Sequence, residues 1–339
     1  MDIETTTSGR LGHVLLNRPK ALNALTHDMV RHLDAALAEW AADESVDAVL
    51  ISGAGERGLC AGGDIRSIYH DLREGGGAAT AAFWREEYRL NARIARYGKP
   101  YVALMDGLVM GGGVGVSAHG SVRVVTERTK LAMPETGIGL IPDVGGTYLL
   151  SRAPGEIGLH LALTGAVIGA GDAIACGLAD HFVASTDLPA FMADVAGEGV
   201  SAALQRHARP APEPALPAQR AWIDVCYAAE TLPEIVETLL EAGEDGAKSA
   251  AEQIAGKSPT ASRVTLSAVR RAGLLASLEQ VLDQEYRVSC RALAHPDLEE
   301  GIRAQVIDKD RTPDWAPAAS PDEVDAFFEP LGDKELGLA

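Results

Sequence analysis

Cysteine is scarce: the four in the chain, Cys60, Cys176, Cys226 and Cys290, are widely separated and form no C-x-x-C pair. That spacing argues against a zinc site or a disulfide framework and leaves reduced thiols and a cytoplasmic location as the expectation. Long apolar runs are missing too. No uninterrupted stretch is long enough to cross a bilayer, and Met1-Asp2-Ile3-Glu4-Thr5 has neither the basic nor the apolar region of a secretory leader, so no membrane role is expected. Positive charge is outnumbered, 30 Lys and Arg against 48 Asp and Glu, for a net −18. This opposes nucleic acid as a partner, because binding its backbone needs a basic face that displaces counterions. Aromatics make up only 5 % of residues, so Ala, Leu, Val and Ile must fill the interior. There is no H-E-x-x-H, EF-hand loop or P-loop, and no metal is implied.

What is present is enough chain for more than one core of the usual size, about 100 to 150 residues. His13 to Asn17 and Ala48 to Gly53 read as buried strands, separated by a helix that Thr26 can cap and whose Met29, Val30, Leu33, Leu37 and Trp40 recur at helical spacing. The alternation continues with a short helix from Ile65 to Leu72 and a flexible Gly75-Gly76-Gly77 loop. Phe83 to Ile94 then reads as helix, Tyr101 to Leu104 as strand, Val114 to Ala118 as the start of a buried helix, and Val122 to Val125 as strand. An α/β core follows. Closely spaced prolines between Arg209 and Pro217 forbid helix and sheet and mark a linker. Beyond it, Leu232 to Ala242 and Leu274 to Leu293 are helical, and Val306-Ile307 is the single strand candidate. The expected division is a core over 1–203 and a mainly helical region over 204–339.

The segment from Met133 to Gly146 sets Glu135 and Asp143 eight residues apart among apolar residues and glycines. A carboxylate deprived of solvent has its pKa raised toward neutrality, where it exchanges protons usefully. Upstream, Gly111-Gly112-Gly113 supplies backbone N–H groups that can be aimed at a developing oxyanion. Together they suggest acyl chemistry. Each has a plainer reading: Glu135 as a first-turn glutamate, Asp143 as a helix start, Asp64 as a helix cap and the triple glycine as a packing turn. Gly113-Val114-Gly115-Val116-Ser117-Ala118 outlines a dinucleotide fingerprint but lacks its strand-to-turn context, and His119 stands where a nucleophile elbow needs glycine.

At these residues the chain resembles the crotonase superfamily, the enoyl-CoA hydratase/isomerase fold, and more narrowly its 3-hydroxyisobutyryl-CoA hydrolase branch. Leu16-Asn17-Arg18-Pro19-Lys20-Ala21-Leu22-Asn23-Ala24-Leu25 resembles the amino-terminal signature, whose backbone lies along CoA. The resemblance implies a spiral of ββα units. It also implies oxyanion donors at Gly63 and Gly112, catalytic roles for Glu135 and Asp143, and substrate contacts at Ala21, Leu22, Ala61, Asp64, Ile65 and Glu87. Three departures from the hydratase pattern carry the branch. Gly115 stands where hydratases place a first glutamate, Asp143 replaces a glycine, and Arg85-Glu86-Glu87-Tyr88 matches a hydrolase segment. Glu300-Gly301-Ile302-Arg303-Ala304, Ile307-Asp308-Lys309-Asp310 and Pro313-Asp314-Trp315 resemble that branch's carboxy-terminal signature. The expected activity is hydrolysis of a short branched 3-hydroxyacyl-CoA, 3-hydroxyisobutyryl-CoA in valine breakdown, with no cofactor beyond the CoA of the substrate and Arg18, Lys20 and Arg66 as candidates for its phosphates. The alternatives are an enoyl-CoA hydratase or isomerase of the same fold and a non-catalytic acyl-CoA-binding protein. A homo-oligomer is compatible with the sequence.

Overall fold

The computed structural model describes residues 2–339. Its first strands are β1 (Ile3–Ser8), β2 (Leu11–Leu16) and β3 (Ala48–Gly53), with helix α1 (His27–Ala42) between the last two. Thr26 caps α1 by accepting from the Met29 N–H at 3.2 Å, and the five apolar residues at helical spacing are the ones it buries. Trp40 lies over β2 at Gly12, where a Cβ would come within 2.7 Å of the indole.

From β3 onward strands arrive in pairs: β3 with β4 (Gly58–Cys60), β5 (Tyr101–Met105) with β6 (Leu108–Met110), and β7 (Val122–Val125) with β8 (Lys130–Ala132). The first of each pair joins a six-stranded sheet of order β1-β2-β3-β5-β7-β9, closed by β9 (His181–Phe182), and the second joins a three-stranded sheet, β4-β6-β8. All neighbours are parallel except β1 and β2. Each pair therefore makes one turn of a spiral. Leu50, Val102, Leu104 and Val124 form a core on one face of the large sheet with Phe191, Val195 and Ala203.

The chain forms two compact units that interleave along the sequence rather than following a single linear division. One comprises 1–63, 89–132 and 167–215 and holds both sheets; the other comprises 64–88, 133–166 and 216–339. The second is helical, with a core of Ile141, Val264, Ala268, Val288, Val324 and Phe328. The segment after Arg209 lacks helix until Leu216, as its prolines require. Two expectations are corrected here. Leu274 to Leu293 is not one helix: Pro259–Leu274 ends there, and Leu278–Ala292 starts afresh where the Ser277 side chain caps it. Val306-Ile307 is not a strand but the end of a π-helical turn, Arg303–Ile307. Among the described residues, no helix is long and apolar enough to cross a membrane.

Candidate active site

The first unit carries the glycine donors. After β6 the chain passes through Gly111, whose φ of 50° and ψ of −122° suit only glycine, into the four-residue helix α4 (Gly112–Gly115). As its first residue, Gly112 has no carbonyl four residues back within the helix for its N–H. The Ala61-Gly62-Gly63 loop approaches the same place: a Cβ on Gly62, where φ is +107°, would lie 3.6 Å from the Gly112 nitrogen. Among the described residues, neither the Gly63 nor the Gly112 N–H donates to a backbone acceptor. The packing reading holds as well, but at the neighbouring glycine, since a Cβ on Gly113 would sit 2.4 Å from the Cys60 carbonyl. Ser117 donates to the Gly113 carbonyl at 2.6 Å and is thus structural.

The amino-terminal signature is anchored beside this loop. Leu22 and Asn23 adopt left-handed φ of 54° and 56° after the Pro19–Ala21 turn. Asn23 holds them by accepting from the Arg18 N–H at 2.9 Å and donating to the Ala54 and Gly58 carbonyls, both at 3.0 Å. The Leu22 carbonyl accepts from Ala61 at 3.0 Å. Arg18 is engaged with the Ala24 carbonyl and Asp2, while Lys20 is exposed.

The second unit gathers carboxyl groups. Glu135 opens a 3-10 turn, Glu135–Ile138, and is buried, with its Oε2 hydrogen-bonded to no protein group. Burial first, then the nearby Asp143 charge, pushes it well above the ordinary carboxyl range. Asp143 is no helix cap. Helix α5 (Gly146–Leu150) has Gly145 at its N-cap, and the Asp143 carboxylate instead accepts the Tyr88 hydroxyl at 2.6 Å. Burial raises Asp143 to about 6, against the lowering effect of that hydrogen bond. Glu87 comes from helix α3 (Ala78–Ala95), is 2 % exposed, leaves Oε1 unpaired, and is raised by burial and then by Asp143. Asp64 takes the N-cap position of helix α2 (Ile65–Gly75) without a side-chain capping bond. Arg66 donates to the Val306 carbonyl at 3.0 Å.

The carboxy-terminal signature supports the Glu135 turn. Gly139 and Gly301 are both required by close approach: a Cβ on Gly139 would meet the Asp297 carbonyl at 2.4 Å, and one on Gly301 the Ile138 backbone at 2.5 Å. Buried Asp297 ties the same region to Ser258 and Ala316, and Ser258 N–H donates to the Thr136 carbonyl at 3.1 Å.

The match to the enoyl-CoA hydratase/isomerase family model spans residues 11–328. The chain belongs to that family. Among its curated relatives, the mitochondrial 3-hydroxyisobutyryl-CoA hydrolase of Danio rerio is 43 % identical, over 97 % of this chain and 90 % of the relative; that of Homo sapiens is 38 % identical, over 97 % and 88 %. Among solved structures, a carnitinyl-CoA dehydratase from Mycobacterium thermoresistibile is 54 % identical, with a TM-score of 0.96 over 99 % of this chain and 98 % of its own. An enoyl-CoA hydratase from Rhodobacter sphaeroides is 44 % identical, with a TM-score of 0.94 over 99 % of both. The fold is therefore the crotonase spiral read from the sequence. The cytoplasmic expectation does not stand, because these curated hydrolases are mitochondrial. Its basis was too coarse: unpaired cysteines indicate a reducing compartment, not which one.

Sequence reasoning gave no role to Tyr88, Glu285 or Ser289, which the structure connects to Asp143 and to the turn that follows it. Glu285 accepts from the Gly145 and Thr147 N–H groups at 2.6 and 2.9 Å, and the Tyr88 hydroxyl lies 2.9 Å from Ser289 Oγ. The sequence offered little signal, because the Leu278–Ala292 helix buries Glu279, Asp283 and Gln284 as well as Glu285 and Ser289 beside its apolar residues.

Proposed function

We propose that the protein hydrolyses 3-hydroxyisobutyryl-CoA to 3-hydroxyisobutyrate and CoA, a thioester cleavage in valine breakdown. The observation that carries this reading is the buried pair, Glu135 with a free carboxyl oxygen and Asp143 held by Tyr88. The Asp143 charge raises Glu135, and carboxyl groups linked in this way titrate as a unit, so at neutral pH the pair holds a proton it can exchange. Attack on the thioester carbonyl places charge on oxygen, and the Gly63 and Gly112 N–H groups take the role of its donors, each worth roughly 3 kcal/mol. Glu135 acts at the carbonyl carbon, either as base toward water or as a nucleophile giving an anhydride that water then opens. In both routes the C–S bond breaks, water supplies the new acid oxygen, and the departing sulfur ends as the thiol of CoA. Asp143 tunes Glu135 and orients the water. Glu87 binds the polar end of the acyl group, and Ala21, Leu22, Ala61, Asp64 and Ile65 follow CoA. No cofactor enters.

The names of the solved relatives favour one alternative, hydration or dehydration of an enoyl-CoA on the same fold. Against it, Gly115 lies buried within α4 and offers no carboxylate at the first hydratase position. The deciding experiment follows free thiol and enoyl absorbance separately over a panel of acyl-CoA thioesters. Thiol release from 3-hydroxyisobutyryl-CoA with slow loss of crotonyl-CoA absorbance is expected; rapid hydration without thiol release would install the hydratase instead.

A further inference from the structure

One face of the Leu278–Ala292 helix holds Asp143 by two separate routes. Glu285 and Ser289 stand four residues apart on it, so their side chains are neighbours. Glu285 is fully buried and receives three donors, the Gly145 N–H at 2.6 Å, the Thr147 N–H at 2.9 Å and the Thr147 hydroxyl. Two of these donors are backbone N–H groups of the segment that follows Asp143, where Val144 and Gly145 are both left-handed with φ of 53° and 81°. A non-glycine residue in that region persists only where its surroundings enforce it, and the Glu285 carboxylate is such an enforcement. Ser289 works on the side chain rather than the backbone. The one phenolic proton of Tyr88 goes to Asp143 at 2.6 Å, so in the 2.9 Å contact with Tyr88 the serine hydroxyl is the donor. The result is a relay from Ser289 to Tyr88 to Asp143 in which each hydrogen bond polarises the next.

We propose that Tyr88, Ser289 and Glu285 are positioning residues that fix the Asp143 carboxylate in place and favour its ionised form, the form able to accept the proton that Glu135 must lose before it acts as base or nucleophile. The inference deepens the hydrolase reading and rests on it. A donor to the charged form favours that form; Asp143 has such a donor, and Glu135 Oε2 has no protein partner. The other titratable groups acting on the pair are Glu87 from α3 and Glu285, both of which oppose a second negative charge there, and Tyr88 itself. Lys257 reaches the turn of Glu135 from its far end, with its ammonium 3.8 Å from the Cβ position of Gly137.

The test is the pH profile of kcat for Tyr88→Phe and Ser289→Ala in the full chain, with circular dichroism and melting recorded alongside. Loss of the phenolic donor makes Asp143 easier to protonate, so the acid limb should move up by about one to two pH units, the worth of a hydrogen bond to a charged group. Ser289→Ala should move it the same way by less, with KM changed under about threefold in both. Glu285→Gln keeps one acceptor oxygen but turns an amide N–H2 toward a backbone donor, and should lower kcat at least tenfold at every pH. If the limb stays fixed while melting temperature drops, the relay is packing only and the proposal is overturned. Carbon-13 NMR of labelled aspartate, with the Asp143 signal identified by its loss in Asp143→Asn, reads the same shift without turnover. An enzyme inactive on every thioester would thus end the hydrolase reading, whereas an Asp143 titration unmoved by Tyr88→Phe would end this one.

Discussion

Replacing Asp143 by Asn separates chemistry from architecture because the side-chain hydrogen bond that its carboxylate accepts comes from the Tyr88 hydroxyl, at 2.6 Å. Asparagine retains a carbonyl oxygen for that hydroxyl. The bond changes from charge-assisted to neutral, a loss of about 1 kcal/mol. Against this stands relief: a buried charge that raises Glu135 and Glu87 is deleted along with its own desolvation. The two effects oppose one another at similar size, so the melting temperature should stay within about 3 °C of wild type. The catalytic effect has no such compensation, and kcat should fall by roughly 10² to 10⁴, the usual range for a lost acid–base group. Glu135→Gln should cost a similar factor, and the double variant should be little worse than the poorer single one, because the pair acts as a unit. Thiol release under saturating substrate measures kcat, and calorimetry measures the melt. An Asp143→Asn enzyme of normal stability and normal kcat would refute the reasoning outright.

The oxyanion donors are tested through Gly62, whose φ of +107° and 3.3 Å approach to the Met110 carbonyl leave a Cβ no easy place. Gly62→Ala should therefore lower kcat by about 10² with native circular dichroism, and near-normal turnover would move the donors elsewhere. Glu285 gives a stability test with a definite sign. Burial pushes it up to about 8 from 4.5, so its contribution is complete below about pH 4.5 and is lost as pH rises through 8. The melting temperature should accordingly carry a decline from this group between pH 4.5 and about 8 that levels off above, and Glu285→Gln should flatten it; an equal slope in both proteins would count against it. Gly301→Ala forces a Cβ to 2.5 Å from the Ile138 backbone and should destabilise by about 1 to 3 kcal/mol, read as a lower denaturant midpoint. A neutral result would show that the Glu135 turn does not depend on that close packing.

Local patterns were legible in the sequence wherever the physics is local. The strands Ala48–Gly53 and Val122–Val125 and the α1 cap at Thr26 stand where alternation, burial and capping put them. The break at Leu275-Ala276-Ser277 was not legible, because the apolar period runs through it and only Ser277 signals a new start. Val306 and Ile307 have strand-forming side chains, yet tertiary contacts place them in a π turn whose Val306 carbonyl receives Arg66.

The candidate site divides along the same line. Glu135 and Asp143 stood out because their own neighbours are glycines and apolar residues, a setting that perturbs a carboxyl whatever the fold. Tyr88, Glu285 and Ser289 could not be found that way, since their hydrogen-bond partners lie 55, 140 and 201 residues away in the chain. Glu285 shares its helix with buried Glu279, Asp283 and Gln284, so its meaning depends on which donors the fold delivers to it. Here the donors are the N–H groups of a left-handed turn directly after Asp143. An unpaired carboxylate at 285 would be costly to bury, and an unheld turn at 144–145 would relax out of the left-handed region. Each makes the other tenable, which is why neither could be inferred alone.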